Sequence, residues 1–466
     1  MKKIIMLLTL LITTGLFAQD IAGSWYGQIV FPGGKLRIGL NIKKVEQGYT
    51  ATMDSPDQGV KDIPVDKISY ENKVLTFNIS AISANYKGEY KDNGFTGTLT
   101  QNNMDIALNL GRTPIKADDK AKERPQEPKK PYPYYSEDVT FKNEKAGITL
   151  AGTLTMPEKE GNFPAVILVS GSGPQNRDEE ILDHKPFLVL ADHLTKKGIA
   201  VLRYDDRGVG KSGGTFSGAT TNDFATDVEA AFAYLQSLPS INKKKIGIIG
   251  HSEGGTIAPI VASKNEDVAF IVLMAGTAIP GDELMMLQNY LLGKTNGMPE
   301  EELTKLGVIN RKIYDVIKEE EDQEALQEKL YTVFNTDMKP LFIANGVPEA
   351  QLIPYINMQL KELSSAWYVN FIRYDPTKAL ENTECPILAI NGDKDLQVAA
   401  IPNLEAIKRA AAKSGNKKVT TKKLEGLNHL FQETTSGAPA EYGTITQTIS
   451  PVALNEISSW IIKQVK

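Results

Sequence analysis

Two hydrophobic textures divide the chain. From Gly23 to about Arg112, strand-length runs rich in Val, Ile, Tyr, Phe and Thr ("SWYGQIVF", "LRIGLNI", "VLTFNI", "GFTGTLT") are separated by the turn sequences "PGGK", "SPDQG" and "KDNG". Such runs predict short strands. Their spacing predicts a small antiparallel barrel or sandwich, an all-β accessory domain over 20–115. From Ser136 onward the apolar runs are continuous: "FPAVILVSG", "GIAVLRYDD", "KIGIIG", "AFIVLMAG" and "CPILAING". Strands apolar on both faces belong to a parallel sheet covered by helices on each side. Intervening stretches such as "TNDFATDVEAAFAYLQSL" supply those helices. The expectation for 136–466 is an α/β, doubly wound, mostly parallel sheet.

Three segments depart from this alternation. Between Ile279 and about Asp375 no parallel-strand run occurs. There Pro299 and Glu300–Glu302 set proline and acids where a helix begins, and Leu306, Ile309, Ile313, Val316 and Ile317 recur at helical spacing. A helical cap insertion over about 279–375 is expected. Residues 116–135, charged and proline-rich, read as a semi-rigid linker. Residues 1–19 open with Lys2 and Lys3, continue in the apolar run Ile4–Phe17 and reach the small Ala18, the pattern of a secretory signal peptide. The run falls short of the roughly 20 residues that span a bilayer. The expectation is an exported protein, periplasmic or extracellular, with no membrane span after cleavage.

Composition narrows the partners. With 41% apolar and 23% charged residues, the 466-residue chain has ample core. A formal net charge of −5 favours neither nucleic acid nor an anionic membrane. Cys385 stands alone, so no intrachain disulfide forms. No His/Cys/carboxylate cluster has zinc-ligand spacing. Gly210-Lys211-Ser212 resembles the end of a phosphate loop, but the glycine that motif needs is Asp205 here. No metal or cofactor is expected; the oligomeric state is left open.

One motif carries chemistry. Gly250-His251-Ser252-Glu253-Gly254 is G-x-S-x-G, after a predicted strand and before a predicted helix. In a nucleophile elbow the serine takes strained backbone geometry, and positions two before and two after it lack side chains because strand and helix approach there. A serine hydroxyl needs a base, and the base an orienting acid. Of the four histidines, His251 cannot turn back onto its neighbour's hydroxyl, and His193 lies mid-helix. His184 precedes the serine and follows the "GSGPQNRDEE" loop, where it can line the site. His429, in "LEGLNHLFQ", follows the last predicted strand. Asp393 and Asp395 both lie just past a strand end, and either serves as the acid. The order Ser252, Asp, His429 is the one expected of this fold.

From about Ser136 to the C-terminus, "LVSGSGPQNRD", "LRYDDRGVGKSGG", "GHSEGG" and "INGDKDLQV…GLNHLFQ" together resemble the α/β-hydrolase superfamily, and more narrowly bacterial carboxylesterases of its serine-aminopeptidase-like and dienelactone-hydrolase-related group. The resemblance implies an acid in Gly-x-x-Asp, which selects Asp395. It implies two oxyanion donors, the backbone N–H of Glu253 and, from Ser170-Gly171-Ser172 in place of His-Gly-x, that of Ser172. It does not extend to Gly23–Arg112, where Gly23-Ser24-Trp25 is similar to the Gly-x-Trp start of lipocalin-type barrels.

The expected function is hydrolysis of small-molecule carboxylic esters through an acyl-enzyme on Ser252, with His429 moving the proton and Asp395 orienting it. Met285, Met286, Leu341, Phe342 and Trp367 make the cap apolar, which favours an acyl or aryl pocket over a peptide grip. A serine peptidase of the same fold is one alternative. A ligand-binding protein using the β-domain, with a vestigial hydrolase, is another.

Overall fold

The computed structural model describes residues 20–31, 34–46, 48–58, 60–82, 84–101, 104–115, 124–344, 347 and 349–466. The signal-peptide segment and the first part of the expected linker lie outside the described residues. The chain separates into two units, Met1–Asp119 and Lys120–Lys466.

In the first unit the strand-length runs form two antiparallel sheets. One holds β1 (Gly23–Phe31), β2 (Gly34–Val45), β3 (Gly48–Ser55) and β4 (Val60–Pro64) in that order. The other holds β5 (Lys67–Glu71), β6 (Val74–Ile79), β7 (Ala84–Lys91), β8 (Gly94–Gln101) and β9 (Met104–Ala107). The sheets meet at both edges. Leu110 pairs with Phe95 while Gly111 pairs with Tyr26, and the Val65 N–H donates to the Ala51 carbonyl at 3.1 Å. Their inner faces bury one core around Trp25, whose indole N–H donates to the Ile21 carbonyl at 2.8 Å and whose ring lies under the Arg112 guanidinium at 3.8 Å.

The second unit opens with the antiparallel hairpin β10 (Tyr135–Asn143) and β11 (Ile148–Met156). The apolar runs follow as β12 (Phe163–Val169), β13 (Ala200–Tyr204), β14 (Ile241–His251), β15 (Phe270–Met274) and β16 (Ile387–Gly392), and the polar, partly exposed β17 (Val419–Leu424) closes the series. The eight-stranded sheet runs β10-β11-β13-β12-β14-β15-β16-β17, parallel from β13 to β17. A separate hydrophobic cluster covers each face, as the two-sided apolarity of these strands requires. One face carries α1 (Pro186–Thr195) and the terminal Pro451–Val465 helix; the other carries α2 (Thr221–Ser237) and α3 (Glu253–Ala262). Helix α2 starts in a capping box, with Thr220 N–H and Oγ both donating to the Asp223 carboxylate at 2.9 and 2.8 Å.

The insertion leaves the sheet after β15 and returns at β16. It contains α4 (Gly281–Thr295), α5 (Glu300–Glu319), α6 (Gln323–Val333), α7 (Lys339–Ala344), α8 (Glu349–Leu363) and α9 (Ala366–Arg373), with a hydrophobic core of their own. Ile309, Ile313 and Ile317 point into that core as the helical spacing predicts.

Of the stretch expected as linker, residues 124–135 belong to the second unit and hydrogen-bond to it. Arg124 donates to the carbonyls of Leu182 and Ile445. The Gln126 side chain bonds the backbone of Thr448 and Ile449. Tyr134 donates to Asp192 at 3.0 Å.

Candidate active site

Ser252 occupies the single residue between β14 and α3, with φ +53° and ψ −117°. A positive φ is strained for a residue with a Cβ, at a cost of about 1–3 kcal/mol, and the surroundings hold it there. The Ser252 N–H donates to the Met274 carbonyl on β15 at 2.9 Å, and its carbonyl accepts from Gly255 N–H at 2.9 Å. The flanking glycines answer to crowding: a Cβ on Gly250 would lie 1.9 Å from the Gly254 carbonyl oxygen, and one on Gly254 2.1 Å from that of Val169.

His429 and Asp395, distant in sequence, meet at the carboxyl ends of β17 and β16. His429 Nδ1 lies 2.8 Å from Asp395 Oδ2, and both side chains are buried. The other carboxylate oxygen accepts the backbone N–H groups of Gln397 and Val398, each at 2.8 Å. Asp393 is exposed and turned away, accepting the Gly426 N–H at 2.6 Å. Of the two acids left open by the residues alone, Asp395 faces the histidine.

The loop after β12 approaches the serine from the other side. A Cβ on Gly171 would lie 3.1 Å from Ser252 Cβ. Its N–H donates to Glu179 at 2.8 Å, and Ser172 follows, exposed. Glu253 follows Ser252 and begins α3, where N–H groups have no intrahelical acceptor. His184 stays out of the site, bonded to Thr448 and the Tyr442 carbonyl, and His193 bonds Ser458. Burial pushes both imidazoles below the ordinary histidine value.

Several side-chain contacts around the elbow are not encoded in the sequence pattern. The buried Glu253 carboxylate accepts from Thr221 Oγ at 2.6 Å and from the Trp367 indole N–H at 2.9 Å, which ties the cap to the elbow. Burial raises its pKa. Asp206 accepts from Ser170 Oγ and Gln175 N–H, each at 2.9 Å; burial and its acidic neighbours Glu179 and Glu253 push it up to about 7. Only the residue type was visible beforehand, since each of these partners lies on another element or loop. The Gly210–Ser212 turn is filled from within: the Asp205 carboxylate accepts the Lys211 N–H at 3.0 Å and the Arg177 guanidinium at 2.7 Å, where a phosphate loop would hold its ligand. Among the described residues, no group of three or more His, Cys, Asp or Glu side chains is arranged to hold a metal ion, and no helix is long and apolar enough to cross a membrane.

A cavity of about 670 Å³ lies within the cap, lined by Met285, Met286, Met298, Met338, Phe342 and Tyr368 among others. Trp367, next to Tyr368, is the residue that reaches Glu253.

Residues 185–338 match the family model described as serine aminopeptidase, S33. The match includes Ser252 and ends before Asp395 and His429. The chain is similar to the esterase EstD of Thermotoga maritima, 26% identical over 71% of this chain and 70% of that one. It is also similar to the uncharacterized protein PA2218 of Pseudomonas aeruginosa, 29% identical over 29% of this chain and 35% of that one. Among solved structures, that of Est1E from Butyrivibrio proteoclasticus with ferulic acid bound superimposes with a TM-score of 0.42 at 17% identity, covering 70% of this chain and 99% of that one.

Proposed function

We propose that this chain, an α/β hydrolase, cleaves small-molecule carboxylic esters through an acyl-enzyme intermediate on Ser252. The observation that carries the reading is the 2.8 Å pair of His429 and Asp395, at the same carboxyl edge of the sheet as a serine held at positive φ. Asp395, fixed by two backbone donors, holds the tautomer in which His429 Nδ1 carries the proton and Nε2 is free to accept the serine proton. Ser252 Oγ then attacks the ester carbonyl, and His429 returns the proton to the leaving alkoxide. Water attacks the acyl-enzyme by the same relay. The N–H groups of Ser172 and Glu253 receive the oxyanion, each contributing about 3 kcal/mol to lowering the barrier.

The cap cavity supports an apolar acyl or aryl group on the acid side, since methionines adapt to varied shapes and its volume lies in the range of small-molecule sites. A peptidase is the second reading, favoured by the description of the family model. Export belongs to the same proposal and rests on the sequence of residues 1–19 alone. A fluorophosphonate probe is expected to label the chain once and to leave Ser252→Ala unlabelled. Butyryl esters are expected to be turned over far faster than aminoacyl-nitroanilides. Labelling that survives in Ser252→Ala would overturn the mechanism, and comparable rates on the two substrates would promote the peptidase.

A further inference from the structure

His251 stands one residue before Ser252 and is buried with an acceptor at each ring nitrogen. Nδ1 lies 2.9 Å from Glu179 Oε1, and Nε2 lies 3.0 Å from the backbone carbonyl of His429. A neutral imidazole has one N–H. Beside an ionised Glu179, either tautomer would turn one nitrogen's lone pair toward an accepting oxygen, in a site with little water to compensate. The imidazolium donates to both. Glu179 complements it: the side chain is buried, and the same Oε1 also accepts the Gly171 N–H at 2.8 Å. An ionised carboxylate, which only accepts, satisfies both donors at once.

We propose that Glu179 and His251 form a buried carboxylate–imidazolium pair that positions the three loops of the reaction site. Glu179 fixes the oxyanion loop through the Gly171 N–H. His251 belongs to the elbow itself. The His429 carbonyl accepts from His251 Nε2, so the histidine loop is held from behind while Asp395 holds its ring from the side. The two imidazole rings lie 4.8 Å apart between centroids. Glu179 and His251 are positioning residues, acting on the reaction through Gly171, Ser172 and His429, and the proposal rests on the ester-hydrolase reading of those groups.

The charges facing the pair are accounted for. Burial opposes the charge on His251, but the Glu179 carboxylate, the His429 carbonyl and the Asp395 charge outweigh it and raise the imidazole above its ordinary value. Asp206 is the further carboxyl on which the Glu179 charge acts; Phe431, edge-on to His251 at 6.3 Å, brings none. A raised value means that the His251 imidazolium persists to higher pH than a free imidazole and is lost as pH rises through it.

The test reads protonation directly and turnover separately. In Ser252→Ala labelled with ¹⁵N-histidine, one imidazole is expected to keep protons on both nitrogens at a pH where the other imidazoles have lost one, and that signal is expected to vanish when His251→Asn is added. A neutral imidazole at 251, whether beside a protonated Glu179 or not, overturns the proposal. This arm is independent of turnover, so failure of the ester-hydrolase reading would leave it standing. In the turnover arm, Glu179→Gln keeps the shape and an acceptor but removes the charge. Its kcat is expected to fall about a hundredfold, as a displacement of about 1 Å does, with KM little changed. The deficit is expected to widen as pH rises, because the variant loses the His251 proton before the parent does. Glu179→Asp is expected to recover part of kcat. A deficit independent of pH, or parental kcat in Glu179→Gln, would overturn the positioning role.

Discussion

At the scale of single residues, the two candidate acids differ by what holds them. Asp395 accepts two backbone N–H groups and meets His429, whereas Asp393 closes the turn at Gly426. Asp395→Asn is expected to lower kcat by about four orders of magnitude, because the histidine takes the wrong tautomer. Asp393→Asn is expected to stay within about tenfold of the parent; the reverse ranking in steady-state kinetics would reassign the acid. Asp206 offers a pH test of burial. Its folded value, about 7, exceeds the 3.8 of an ordinary aspartate, so the folded state binds the extra proton and stability falls as pH rises between them. Relative to Asp206→Asn, the parent is therefore expected to gain melting temperature as pH drops from 8 to 5. The raised groups Glu253 and His251 have the same sign, and the depressed His184 and His193 the opposite one; the difference between parent and variant isolates Asp206. Ser252, His429 and the pair of acids were legible because each chemistry is local to a motif. The Glu179–His251 contact and the Glu253–Trp367 contact join residues 72 and 114 positions apart, and no periodicity or spacing encodes such a meeting.

At the scale of elements, strand type and order of appearance followed from texture: continuous apolar runs became the parallel core of the sheet, and the short turn-separated runs the N-terminal sheets. The cap was legible as helical, but not its cavity, which depends on how α4, α5, α8 and α9 pack. Gly307 on α5 exposes the relation between that packing and substrate choice. A Cβ there would meet only Met286 Cε, at 3.8 Å, and the residue lines the cavity. A leucine at 307 has room to grow into the cavity, and removing an interior helical glycine gains up to about 1 kcal/mol. Gly307→Leu is thus expected to keep or raise the melting temperature while lowering kcat/KM for long-acyl nitrophenyl esters more than for acetyl. An unchanged chain-length profile would show that the cavity does not receive the acyl group. Trp367→Phe tests the tie between cap and elbow. It removes the indole donor from a buried carboxylate, leaving Thr221 as partner, and an unmet buried acceptor costs about 1–3 kcal/mol. A higher KM with a modestly lower melting temperature is expected.

At the scale of the whole molecule, the boundary between the units is set by hydrogen bonds and not by composition. The Pro-rich charged stretch reads as one linker because it has almost no aliphatic side chains, yet its second part is secured by polar contacts that hydrophobic patterning does not register. Arg124 and Gln126 satisfy backbone groups of Leu182, Ile445, Thr448 and Ile449. The Thr448 hydroxyl in turn meets the buried His184. Glu127 lies near Lys185 as well. Removing this segment uncovers several of those groups together, each worth about 1–3 kcal/mol where water does not replace the lost partner. Two truncations separate the readings of the boundary. A chain beginning at Arg124 is expected to fold and to hydrolyse soluble nitrophenyl esters with kcat near that of the full chain, since every residue assigned to the reaction lies in the second unit. A chain beginning at Ser136 is expected to melt several degrees lower and to lose ester turnover first on heating. Equal melting temperatures for the two would make residues 124–135 a dispensable tether. Failure of the chain from Arg124 to fold would show that the N-terminal sheets are needed for the stability of the second unit.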